Sequence, residues 1–155
     1  MHTDATVGGG LMARLREETA FLHRETERGR LSQDLVTGRL PLTRYGDLLH
    51  QMLLLHAGFE PALAGCALTP GPISAVVRPY QYQEQSLRRD LAHLGRDEDG
   101  AAPLPAVREF AARVTDWAAR NPVALLGILY VLEGSKNGGR YLARAVRRAY
   151  GFDGQ

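Results

Sequence analysis

Apolar residues along this chain recur every three to four positions, in stretches punctuated by glycine, proline and short polar runs, and no stretch alternates strictly between apolar and polar. That period is helical, so an all-α fold is predicted. A first helix spans about Leu11 to Arg28, with Leu11, Leu15, Leu22 and Thr26 on one stripe and Gly29 as a left-handed stop. A short helical turn follows at Ser32 to Val36. Thr43 is the expected N-cap of a long apolar helix carrying Tyr45, Leu48, Leu49, Met52, Leu53, His56 and Phe59, disturbed at Pro61. GCALTPGP, Gly65 to Pro72, reads as a loop, with a brief segment near Ile73 to Arg78 after it. Pro79 opens a helix that Gly95 closes after Leu87, Leu91 and Leu94, and Arg96 to Pro105 is a surface connection. A helix from Ala106 to Arg120 carries Phe110, Val114 and Trp117. Asn121-Pro122 ends it and caps a last helix that extends to about Tyr150. Residues 1–10 read as a disordered lead and 11–155 as one helical domain, a bundle of six or so helices around one core.

The last helix contains an anomaly. LEGSKNGGR, Leu132 to Arg140, places Gly134, Gly138 and Gly139 inside it, with Gly127 upstream. Each glycine lowers helix stability by about 0.8–1 kcal/mol relative to alanine. A run without Cβ atoms at i and i+4 exposes backbone to a second helix or a flat ligand, or lets the helix bend. A bend within GSKNGG is expected from the helix's unusual length.

Composition narrows the function classes. At 155 residues the chain is long enough to bury about 70% of its unfolded surface without a staple. Its 19 basic and 17 acidic residues leave a formal charge of +2, against the concentrated basic patch that nucleic acid requires. Arg140, Arg144, Arg147 and Arg148 read as a solvated face near a helix C-terminus. A lone cysteine, Cys66, permits no internal disulfide and fits a cytoplasmic location. The first residues have no apolar core of a signal peptide, and Val123 to Leu132 is about half the length that spans a bilayer, so no membrane insertion is expected.

Among polar residues, Arg16, Thr19, His23 and Glu27 form one strip along the first helix. A neutral imidazole binds a transition metal through one nitrogen while the other donates to a carboxylate, and Glu27 at i+4 is placed to be that carboxylate. The same spacing also describes an ordinary helix pair. His56 and Glu60 repeat it, but Pro61 follows and no third ligand is suggested, so core packing is the reading for His56, as for His50 and His93. HExxH and Glu-x-x-His are both absent, which removes the usual helical zinc-protease and di-iron signatures.

LREETAFLHRETE, Leu15 to Glu27, together with YVLEGSKNGGRYLA, Tyr130 to Ala143, resembles the heme oxygenases, especially bacterial ones associated with bilin and phytochrome metabolism. The resemblance implies a single all-α domain in which heme is sandwiched between a proximal helix and a kinked distal helix. It implies His23 as the iron ligand, Glu27 as its hydrogen-bond partner and Arg16 as the partner of a heme propionate. On the distal side it implies that Gly134 and Gly138 make room for dioxygen over the heme and that Gly139 continues the pattern. Ser135 stands where many family members have an aspartate that organises distal water. Heme would be both substrate and cofactor, with biliverdin, carbon monoxide and ferrous iron as products, and with electrons from a ferredoxin or reductase.

Two departures from the family shape further expectations. Lys136 and Asn137 replace smaller or more apolar residues, which would alter the bend or bring a charge to the pocket rim. Family members continue further past the distal helix, whereas GFDGQ follows it closely here. That leaves room for a pocket open on one side, for closure by a homodimer, or for a heme- or bilin-binding protein without catalysis. A further alternative is a helical interaction module whose glycines only let two helices pack closely.

Overall fold

A computed structural model describes residues 10–96 and 100–152. Those residues form α1 (Leu11–Arg28), α2 (Arg30–Val36), α3 (Leu42–Ala67), α4 (Pro72–Val76), α5 (Glu84–His93), α6 (Pro105–Arg120) and α7 (Leu125–Tyr150). Single 3-10 turns stand at Pro79–Gln81 and Pro122–Ala124, and no strand occurs among the described residues. The all-α expectation holds. The expected lead at residues 1–9, the acidic centre of the Arg96 to Pro105 connection at 97–99, and residues 153–155 lie outside the described residues.

The helix α3 is central because both its flanks are apolar: Leu53, Phe59 and Leu63 are almost fully buried, and α5 and α6 pack along it. Phe59 and Leu63 join Ile73, Val114, Leu125 and Leu129 in the main core, each such side chain contributing about 1.5–3 kcal/mol by leaving water. A second core gathers Leu35, Leu40 and Val146, with Tyr45, Leu48, Leu142, Tyr150 and Phe152 packed against it. There Tyr45 and Tyr150 stack at 5.4 Å, and the Tyr150 hydroxyl donates to the Leu40 carbonyl at 2.6 Å. Gly38 turns the chain at φ 69° where a Cβ would lie 2.8 Å from that of Ala149, so both backbone and space exclude a side chain.

Consequently α7 is held at both ends, by Leu125 and Leu129 in one core and by Val146 in the other. Its helical run is continuous through GSKNGG. It ends at Gly151, whose left-handed backbone (φ 72°) lets the Phe152 N–H return to the Arg147 carbonyl.

Several boundaries differ from the expectation. Gly29 ends α1 without a left-handed turn, at φ −58° and ψ 140°, because the next helix starts at once and an extended ψ redirects the chain. Thr43 is not a cap: α3 begins at Leu42 after Pro41. The same helix continues through exposed Pro61 to Ala67, held by buried Glu60 and Leu63 on either side, so the loop expected from Gly65 shrinks to residues 68–71. Pro79 opens only a 3-10 turn, and α5 starts at Glu84. No helix formed by described residues is long and apolar enough to cross a membrane.

Candidate functional site

The first helix packs on α2, and α2 in turn packs on α7. Its apolar stripe is not absorbed by either core: Leu22 is 66% exposed and neighbouring Phe21 is 63% exposed. His23 shares this open setting. Its Nδ1 lies 3.4 Å from Glu27 Oε1, with both side chains about two-thirds exposed. That pairing sets Nδ1 toward the carboxylate on a side chain that is itself largely exposed. Arg16 is exposed and has no acidic partner among the described residues. One turn on, the Thr19 hydroxyl donates to the Leu15 carbonyl at 2.8 Å and is satisfied by its own helix.

On α7, Gly127, Val131, Gly134 and Tyr141 fall at i, i+4, i+7 and i+14, one helical stripe, and Gly138 falls on it by register. This stripe is open: Val131 is 54% and Tyr141 78% exposed, and Gly134 is exposed. A Cβ added at Gly127 or Gly134 on this stripe, or at Gly139, which stands about 140° around the helix from Gly134, would meet no atom within 4 Å. The missing side chains therefore accommodate no neighbouring helix of this chain, which removes close helix packing within it as their cause. Next to Gly134, the exposed Ser135 hydroxyl donates back to the Leu132 carbonyl at 2.7 Å. Lys136 does not present a bare charge to this stripe, because its ammonium pairs with Glu133 and donates to the Gln81 carbonyl at 3.2 Å.

Of the other candidates, His56 and His50 pack in the core as expected, whereas His93 does not: it is exposed at the end of α5 with its ring edge-on to Phe152 at 6.0 Å. His56 and Glu60 are buried and pair at 2.8 Å, and His50 is buried on the same helix. Cys66 is half-buried with its sulfur 4.0 Å from the Ala118 carbonyl. No group of three or more His, Cys, Asp or Glu side chains suited to hold a metal ion occurs among the described residues. Two surface hollows, one beside His50 and Arg96 and one between Leu68 and Tyr82, are lined by none of the residues named on α1 and α7. Sequence reasoning missed the Lys136 tie, for which the only local signal was Glu133 three residues before it. It also missed that Glu60 caps α5, a contact between residues 23 and 24 apart in the chain.

This all-α chain belongs to the heme oxygenase family, whose model matches residues 10–155. It is 37% identical to a heme oxygenase of Xanthomonas campestris pv. campestris (strain 8004) over 120 residues, 76% of this chain. Its fold is similar to that of heme oxygenase-1 from the cyanobacterium Synechocystis sp. PCC6803, solved in complex with heme, with a TM-score of 0.77 and 22% identity over 88% of this chain. The chain spans 62% of the length of each of these two relatives.

Proposed function

We propose that this chain is a heme oxygenase that opens the heme ring to biliverdin, carbon monoxide and ferrous iron, using dioxygen and electrons from an external donor such as a ferredoxin or a reductase. The observation that carries this reading is the open glycine stripe. Gly127 and Gly134 weaken α7 and touch nothing in the chain, leaving bare backbone between exposed Val131 and Tyr141 that a planar ligand fits and that added Cβ atoms would fill. Heme is such a ligand, and the cyanobacterial protein of similar fold holds it.

Bound heme would supply the redox-active iron and the ring that is cleaved. The chain's own residues then have separable tasks. His23 would hold the iron through Nε2, with Glu27, 3.4 Å away on the Nδ1 side, placed to accept from the other ring nitrogen. Arg16, without an acidic partner among the described residues, is available to a propionate. Gly134 and Gly138 would leave the opposite wall without side chains at those positions, while Gly139, about 140° around the helix from Gly134, stands off that wall. Ser135 binds its own helix and brings no acid, and the neighbouring Glu133 is held by Lys136. A wall without a free carboxylic acid would keep a strong proton donor away from dioxygen bound beside it. The lone cysteine agrees with work in the reducing cytoplasm.

Hemin and a reductant in air test the proposal. The expected result is decay of the Soret band with the rise of a biliverdin spectrum and release of carbon monoxide. A stable heme spectrum would instead assign a binding protein without catalysis, and an unchanged free-hemin spectrum would reject both.

A further inference from the structure

The glycine-rich middle of α7 lies between its two anchoring cores, in the part of the helix weakest in intrinsic propensity. A helix held only at its ends would fray or shift there, so the placement of its centre needs a further restraint. Lys136 sits about 200° around the helix from Gly134, on the side away from the open stripe. Its side chain is one-third exposed, and its ammonium binds Glu133 on α7 and the Gln81 carbonyl in the 3-10 turn between α4 and α5.

That turn is itself fixed. Gln81 Oε1 accepts from the Arg78 N–H at 2.6 Å, and the Gln81 N–H donates to the Arg78 carbonyl at 3.0 Å. Two and three residues further on, the Gln83 and Glu84 N–H groups donate to the Glu60 carboxylate, whose Oε1 also pairs with His56 Nδ1. Glu60 and His56 are buried on α3. The backbone of residues 81–84 thus joins the Lys136 contact, at the back of the glycine stripe, to the buried Glu60 carboxylate on the central helix.

We propose that Lys136 is a positioning residue that clamps the middle of α7 to the Gln81 carbonyl and so sets where the glycine wall stands. The inference rests on the reading of that wall as one side of the heme site. Lysine suits the task because one compact ammonium carries three donors, enough for a carboxylate and a carbonyl at once.

The test uses two variants. Lys136→Met keeps the stem and the helix propensity but removes the ammonium, and Lys136→Arg keeps charge and donors. In the heme-free chain, amide hydrogen exchange across residues 134–142 is expected to run about threefold to tenfold faster in Lys136→Met and to return toward the parent in Lys136→Arg. Exchange in Lys136→Met equal to the parent would overturn the clamp. With hemin bound, Lys136→Met is expected to change the high-spin to low-spin balance of the ferric spectrum, with recovery in Lys136→Arg. An unchanged spectrum alongside faster exchange would make Lys136 merely structural and overturn the positioning role. Failure of the parent to bind hemin would reject the heme reading and the positioning role with it, while the exchange result would still report the clamp by itself.

Discussion

His56 Nδ1 lies 2.8 Å from Glu60 Oε1 in the interior of the protein, and the same carboxylate receives the N–H groups that begin α5. Four residues separate this pair, as four separate His23 from Glu27, yet the first pair is buried and the second stands in solvent. One spacing serves a structural joint in α3 and a candidate ligand in α1. Burial of the partners, which i to i+4 spacing does not encode, makes the difference.

Removing the buried carboxylate leaves an imidazole nitrogen and two amide donors without their acceptor. Glu60→Ala is expected to lower stability by about 3 kcal/mol, since breaking one side of a buried pair strands the other. Glu60→Gln keeps an acceptor oxygen and is expected to cost less. Urea unfolding of the heme-free chain measures both, and equal stability of Glu60→Ala and the parent would contradict the role given to Glu60.

The exposed pair behaves oppositely. His23→Ala is expected to change stability by no more than about 0.5 kcal/mol, the usual range for surface substitutions, while abolishing the axial-ligand signature of bound heme. Thermal unfolding beside the ferric heme spectrum separates the two effects. A marked fall in Tm would show that His23 supports the fold.

Gly134→Ala probes the other wall. Because a Cβ there meets nothing, the substitution is expected to stabilise the heme-free chain by about 0.8–1 kcal/mol through helix propensity, while weakening heme binding or ring opening. A rise in Tm with a fall in hemin affinity is the expected pattern. A lower Tm would mean that the chain itself uses the space.

The second core gives a pH dependence. Burial, then the charges of the Asp90 carboxylate and the Tyr150 phenolic oxygen, push the Tyr45 hydroxyl above its usual value, and burial raises Tyr150. The unfolded tyrosines ionise near about pH 10 while the folded ones still hold their protons, so the unfolded chain binds fewer protons and stability falls as pH rises through that range. Urea melts at about pH 9 to 11 are expected to show this slope, reduced in Tyr45→Phe. An identical slope in the variant would place the effect elsewhere.

Helices α1 and α6 were legible because their apolar periods are uninterrupted and bounded by glycine or proline. The misplacements share one cause, local signals overridden by packing. Pro61 reads as a break, but Glu60 and Leu63 bury both flanks of the helix through it. Thr43 has a capping side chain, but the backbone is already helical at Leu42. Gly29 offers a left-handed stop that the chain does not need, because α2 starts one residue later. In the site, His23, Glu27 and Arg16 were readable as one strip, and the glycine cluster as an anomaly. Why the glycines are there was not readable, since close packing, a bend and a flat ligand all predict the same letters. Empty space over Gly127, Gly134 and Gly139 decides against packing within the chain. The Lys136 tie could not be read, because its acceptor is a backbone carbonyl 55 residues away.

His23 on α1 and the glycine stripe of α7 are proposed as two walls of one heme site. Hemin titrations of the parent, His23→Ala and Gly134→Leu, followed at the Soret band, probe both walls at once. Saturable one-to-one binding is expected of the parent, loss of the axial signature in His23→Ala, and weaker binding by Gly134→Leu despite an intact fold. Both variants binding hemin with the parent's affinity and spectrum would contradict a site built from these two helices.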